Sequence, residues 1–293
     1  MANEQVQGML GLIENLWGGL DALFAGLEAE GSWNSKHGDD WTFADVPYHL
    51  MYFDREVVAK PIERGKNVPP TELKVQRRVR ELNDWNTVQF SQRPSDQTAQ
   101  QSVEEWRRMC ERVQSAIGGL RDDQLMQPVF IPLVGCGWVP AMASLGACLA
   151  HNWSEFVQLR HLMGRSTPEL APAATHAALA FFQDFMPAFM DREAAKGVNL
   201  TIVMEYTGPA GGAWTFRVGD GSCNVEEGAA VEADLVIAQS PETGELVRQR
   251  KLDFGSEMQR GAIQIKGMEH LATFGALFPE PNLDVELAPM GAP

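Results

Sequence analysis

Apolar side chains recur between residues 3 and 30 at Val6, Met9, Leu10, Ile13, Leu16, Trp17, Leu20, Leu23, Phe24 and Leu27. Intervals of three and four place them on one face of a long helix, with the polar positions opposite. Gly31 supplies a stop, because glycine takes the left-handed conformation that ends helices. A polar loop with aromatic anchors follows, from Trp33 through His37 and Trp41 to Phe43. The pattern predicts a second helix from about Thr42. Asp45, three residues on, gives the arrangement of a capping box, and Pro47 fits the first turn. His49, Leu50, Phe53 and Val57 fall on its neighbouring faces, and Gly65, Pro69 and Pro70 end the segment.

Residues 71–93 are charged and weakly amphipathic, with Leu73, Val79, Leu82, Trp85, Asn86 and Phe90 as the apolar-side positions; they predict a third helix. Ser102, with Glu105 three residues later, reads as the cap of another, running through Trp106, Met109, Val113, Ile117 and Leu120. The run from Pro128 to Pro140 holds too many prolines and glycines for a helix and predicts a loop or short hairpin. A last long helix covers about 141–163. The Pro- and Ala-rich stretch 166–175 reads as a linker. Beyond it the pattern changes. A helix at 176–195 leads into alternating runs at 200–206, 213–218 and 233–238, which read as strands joined by glycine-rich turns. A helix at 243–251, a strand at 261–267 and a helix at 268–278 complete the pattern. The predicted fold is multidomain: an all-α four-helix bundle (1–165), a linker (166–175), a small α+β domain (176–280) and an extended tail (281–293).

Composition narrows the function classes. The chain has 293 residues, 44% apolar and 22% charged, enough for two ordinary cores. The formal net charge of -15 argues against nucleic acid as a partner, since phosphate backbones are held by concentrated Lys and Arg. The start of the chain lacks a basic signal-peptide region, and no apolar run is long enough to cross a bilayer. The four cysteines, Cys110, Cys136, Cys148 and Cys223, form no paired motif. Reduced thiols in a cytoplasmic protein without membrane insertion are the expectation.

Candidate chemistry centres on the last bundle helix. His151 and Glu155 are four residues apart, so their side chains lie on one face, one turn apart. His49 offers a third group from another helix. Two imidazoles and a carboxylate leave coordination positions open, as sites that do chemistry do. The donor mixture suits zinc, nickel, iron or manganese and does not choose among them; zinc is the first expectation. A low-molecular-weight thiol or a water at the open position would be ionised by the metal. Spacing alone leaves a plain alternative open, since a His-x-x-x-Glu pair is also common as a surface contact worth a few tenths of a kcal/mol. Asn86, by helix phase, and Trp138, held between glycine and proline, are candidate substrate contacts, with Arg217 as an anchor for a substrate acid. Cys148 reads as a small buried side chain. His37, His161, His176 and His270 receive no role.

Two stretches resemble a known family: Trp41-Thr-Phe-Ala-Asp-Val-Pro-Tyr-His49-Leu, and Leu149-Ala-His151-Asn-Trp-Ser-Glu155-Phe-Val-Gln158-Leu with the residues up to Arg165. Together they are similar to the DinB family of metal-binding four-helix bundles, over about residues 5–165, and Leu82-Asn-Asp-Trp-Asn86 looks like a further family feature. The resemblance implies that His49, His151 and Glu155 hold a divalent metal, with Glu155 where the commoner members carry a third histidine. A carboxylate in the set, and a small C-terminal domain, resemble the branch of mycothiol-dependent maleylpyruvate isomerases, in which Glu precedes His rather than following it. The C-terminal part resembles the sterol carrier protein family through Ala233-Asp-Leu-Val-Ile, the stretch from Lys251 to Gly261, and the stretch from Ile263 to Ala272. That family encloses an apolar tunnel for lipids, which Phe182, Phe185, Met186, Phe189, Met190, Met258 and Phe274 would line here. The expected function is that of a metal-dependent, thiol-using transferase or isomerase acting on a hydrophobic small molecule. The alternative is a non-catalytic carrier of a lipid or other apolar ligand, with the bundle as a dimerisation or regulatory module; a homodimer belongs to that expectation.

Overall fold

The computed structural model describes residues 3–37, 41–69, 72–133, 136–164 and 170–279. These residues divide into two compact units, one reaching Leu170 and one beginning at Ala171.

In the first unit, α1 (Glu4–Glu30) buries the expected stripe, and Gly31 ends it at φ +65°, donating its N–H to the last turn. Helix α2 (Val46–Asp54) follows a short 3-10 turn. It continues through a π-helical turn (Arg55–Ala59) into α3 (Lys60–Arg64). The predicted helix over 71–93 is shorter than its pattern. Only α4 (Val79–Ser91) is helical, and within 72–78 the Gln76 N–H goes instead to the Pro132 carbonyl at 2.9 Å. The next helix, α5 (Ala99–Gly118), is capped four residues before the expected Ser102. Its cap is Thr98, paired with Gln101 in a capping box, while Ser102 is buried inside the first turns. A cap of this kind contributes about 1 kcal/mol. Thr98→Ala should therefore lower the unfolding free energy by about that amount in a denaturant titration, with the slope unchanged.

Strands β1 (Pro128–Ile131) and β2 (Gly137–Pro140) pair antiparallel, and α6 (Ala141–Met163) runs directly from β2. Helix α1 packs against α5 and α6, and α2 packs against the same two. The four long helices thus close a ring of neighbours, the arrangement of a four-helix bundle. Residues 152–159 of α6 are all buried, so this helix has no solvent stripe in its middle and its polar groups there must find partners inside the protein.

The second unit opens with α7 (Pro172–Phe185), so the last four residues of the expected linker, 172–175, are helical, with Pro172 placed where its missing N–H costs nothing. Residues 165–169 and the expected tail lie outside the described residues. Pro187 ends the regular helix in a 3-10 turn (Met186–Phe189) rather than at 195. The sheet comprises β3 (Leu200–Tyr206), β4 (Gly212–Gly219), β5 (Ser222–Glu227), β6 (Leu235–Gln239) and β7 (Ile263–Lys266), in the order β5-β4-β3-β6-β7. Neighbours are antiparallel except β3 and β6. Asp220 and Gly221, at φ +52° and +75°, make the tight turn between β4 and β5. Helices α8 (Pro241–Arg248), α9 (Phe254–Gln259) and α10 (Leu271–Leu277) complete this unit. Strand β5 and helix α9 had no counterpart in the hydrophobic pattern: β5 is an edge strand with no fully buried side chain, and α9 is six residues long. No helix among the described residues is long and apolar enough to cross a membrane.

Candidate metal centre

Helix α2 owes its starting point to the capping box. The Thr42 backbone N–H and its hydroxyl both donate to Asp45 Oδ2, at 2.7 and 2.9 Å, and Arg93 donates to Asp45 Oδ1 at 2.6 Å. This sets His49 at the first full turn, facing α6. His49 Nε2 lies 2.8 Å from His151 Nε2 and 3.8 Å from Glu155 Oε1. One ligand atom from each of the three residues lies within 4.8 Å of the others, so His49, His151 and Glu155 form a set that could hold a metal ion. Bonds of about 2.0–2.2 Å to such donors require only small side-chain rotations to close that set around one cation.

The chemistry of the donors fits. Tyr52 donates its single O–H to Asn86 Oδ1 at 2.9 Å, and the same oxygen lies 2.6 Å from His49 Nδ1. With its proton committed to Asn86, the phenol can only accept from His49, which places the imidazole N–H on Nδ1. Nε2 is then the lone-pair nitrogen, directed at His151 and Glu155, as a ligand must be. Burial, reinforced by His151, holds His49 down at about 3, against the pull of Glu155 in the other direction. His49 is therefore a neutral donor at any ordinary pH. Burial and the Glu155 charge push the Tyr52 hydroxyl well above its usual range, so it stays a phenol.

The walls are aromatic. Trp41 meets the His49 ring edge-on at 4.8 Å, Phe90 lies parallel to it at 6.3 Å, and Phe53 stacks on His151 at 3.6 Å. His49 and Glu155 are buried, whereas His151 is half-buried and gives the centre its side toward solvent.

His37 and Tyr52 belong to the centre, yet no role attached to them in the sequence. His37 Nε2 lies 3.3 Å from Glu155 Oε2 and is buried, although it stands in a polar loop. The flanking aromatics explain this, since Trp41 stacks on its ring at 6.3 Å and Phe43 meets it at 6.2 Å. The usable signal for Tyr52 was its position three residues after His49, on the same helical face. Asn86 meets the centre through Tyr52, whose hydroxyl donates to its Oδ1. Trp138 sits on β2, 45% exposed and edge-on to Phe130, and is not one of the rings around the two imidazoles. Arg217 is on β4 of the second unit, exposed, with Glu226 at 4.0 Å.

A second buried polar cluster links α2 to α6. Asp54 is fully buried, and its Oδ1 accepts from Cys148 Sγ at 3.3 Å and from Asn152 Nδ2 at 3.1 Å. Burial pushes its carboxyl up to about 7, partly offset by those two hydrogen bonds. Cys148 is buried as expected, but it also serves as a donor.

Residues 12–158 match the profile of the DinB superfamily. Among solved structures, the mycothiol-dependent maleylpyruvate isomerase is 12% identical, covering 82% of this chain and 87% of that one, with a TM-score of 0.49. A His-to-Ala variant of that enzyme gives 11% identity, the same coverages and a TM-score of 0.50. A stereoselective inverting sec-alkylsulfatase from Pseudomonas sp. is 17% identical over 50% of this chain, with a TM-score of 0.28. The chain spans about a quarter of the sulfatase's length, 26%. At 11% identity and a TM-score of 0.50, the likeness to the variant speaks for the fold alone. Among curated proteins, no sequence matches the chain.

Proposed function

Because the chain belongs to the DinB superfamily, matched over half its length, we propose that it is a metal-dependent enzyme in which His49, His151 and Glu155 hold a divalent cation. The observation that carries this reading is the chain of hydrogen bonds from Asn86 through Tyr52 to His49, which leaves Nε2 as a lone pair facing the other two donors. A cation in that place supplies Lewis acidity, lowering the pKa of a thiol or water at its open position. Zinc suits the donor set first, with nickel, iron and manganese as alternatives.

Charge favours a thiol as cosubstrate. Two neutral imidazoles and one carboxylate bring a single negative charge to a divalent cation, so one incoming thiolate completes neutrality in a buried place. A three-histidine set would leave the balance one charge more positive. The aromatic rings of Trp41, Phe53 and Phe90 form walls suited to a hydrophobic small molecule. The reaction class we favour is thiol-dependent transfer or isomerisation. The second unit is read as sterol-carrier-protein-like, supported by its mixed sheet and by Phe182, Phe185, Phe189 and Phe274, which remain half-buried rather than closed into a core. That observation keeps an apolar-ligand carrier as the second reading.

Protein purified without chelators should contain close to one equivalent of metal by elemental analysis. Absence of metal would remove the basis of the enzyme reading and leave the carrier. If a cobalt-substituted sample shows no change in its visible spectrum on addition of thiols, the thiol version fails and activation of water stands.

A further inference from the structure

The centre contains one close contact that the three-residue set does not use. Glu155 presents its two oxygens to different partners: Oε1 is 3.8 Å from His49 Nε2, and Oε2 is 3.3 Å from His37 Nε2. Both His37 and Glu155 are at least nine-tenths buried, at 5% and 8% exposure. His37 itself is outside the set of mutually close ligand atoms. It is held by its backbone on both sides. Gln158 Nε2 donates to the His37 carbonyl at 3.3 Å, the His37 N–H goes to the Trp41 carbonyl at 2.9 Å, and Lys36 bridges to Thr42. Gln158 follows Glu155 by three residues on α6, so the same helical face that carries the carboxylate also fastens the loop that contacts it.

We propose that His37 is a positioning residue of this centre: it engages Glu155 through Oε2, so that Oε1 alone faces the two imidazole nitrogens, and Gln158 keeps His37 in place. The inference rests on the metal reading above. A glutamate has three side-chain torsions, and ordering such a chain costs on the order of 1–2 kcal/mol. The 3.3 Å contact with His37 offsets part of that cost before a cation arrives. It also restricts the carboxylate to one ligand atom, which leaves more of the coordination sphere for a substrate. Outer partners of this type are worth about 10- to 100-fold in metal affinity.

The test is chelator competition for zinc and cobalt with the full chain, comparing wild type, His37→Ala, His37→Gln and Gln158→Ala. His37→Ala should weaken affinity by about 10- to 100-fold while saturating at the same stoichiometry. His37→Gln, which keeps an N–H donor on a side chain of similar reach, should recover part of the loss. Gln158→Ala should weaken affinity in the same direction, by less. Thermal midpoints measured without and with metal separate positioning from simple support of the fold. A positioning role reduces the metal-induced increment, whereas a structural role lowers both midpoints equally and overturns the proposal. X-ray absorption should count two imidazoles in wild type and in His37→Ala. Three imidazoles falling to two would make His37 a ligand and overturn the proposal, as would unchanged affinity in both His37 variants. A wild-type protein that takes up no metal ends the metal reading as well; one that binds as tightly without His37 ends only this inference.

Discussion

Replacing His49 with alanine lowers affinity for a divalent cation by at least a hundred- to a thousand-fold. Four-ligand zinc sites in small domains bind with about 10–16 kcal/mol, so one ligand accounts for roughly 3–4 kcal/mol, or two to three decades. The loss here reaches beyond one bond, because His49 is the only one of the three donors contributed by α2. Without it the remaining pair, four residues apart on α6, offers only two donors from one helix and has weak chelating power. Any metal-dependent activity should disappear with the metal. The fold should persist, since the Tyr52–Asn86 bond and the packing of α2 on α5 do not depend on the imidazole. Elemental analysis beside circular dichroism checks this result. A variant that folds and keeps its metal would remove His49 from the ligand set.

The second large effect concerns Asp54 and pH. Its folded carboxyl titrates near 7, against an ordinary value of 3.8. Between those values the unfolded chain has released the proton and the folded protein keeps it, so the contribution of this carboxyl to stability falls as pH rises through the window and is gone above it. The total is on the order of 4 kcal/mol. His49 works in the opposite sense. Its folded value is about 3 against 6.5, so the unfolded chain binds the proton first and stability rises with pH over that span. In the metal-free protein the two trends largely cancel between about pH 4 and 6.5. Asp54→Asn keeps an acceptor for Cys148 and Asn152 but removes the titration. The variant should expose the His49 trend, gaining several kcal/mol of unfolding free energy from pH 4 to pH 6.5 where wild type stays nearly flat. Denaturant titrations in chelator at both pH values measure it. A flat profile in the variant would show that Asp54 does not carry this linkage.

The bundle was legible because its signals were strong and local. The α1 stripe, the Gly31 stop and the bounds of α6 follow from spacing and from residues with one conformational use. The juxtaposition of His49, His151 and Glu155, a set that could hold a metal, was legible because two of its members share a helix face and the third follows a capping box. The less legible parts depended on contacts between distant segments. Residues 72–78 carry helix-compatible side chains, but the Gln76 N–H is claimed by the Pro132 carbonyl and the Arg77 N–H by the Glu81 carboxylate. His37 looked like a loop residue because nothing local says that Trp41, Phe43 and Gln158 will enclose it. Thr98 outcompeted Ser102 as a cap because Gln101 could answer it; glutamine serves in that place as well as glutamate.

The π turn at Arg55–Ala59 lies just past Asp54, and the hydroxyl of Ser144 on α6 donates to the Val57 carbonyl there. Such a turn holds one residue more than an α turn, so everything after it is rotated by about 100° relative to an uninterrupted helix. The stretch before the turn points His49 and Asp54 at α6, and the stretch after it carries Glu63, whose carboxylate pairs with Arg112 of α5. Removing one residue between 55 and 59 would therefore act as a phase change rather than a shortening. The candidate ligands His49, His151 and Glu155 would stay where they are, while Glu63 turned away from Arg112. The helix from 46 to 64 thus serves two neighbours with two different faces, and a single surplus residue sets the angle between them.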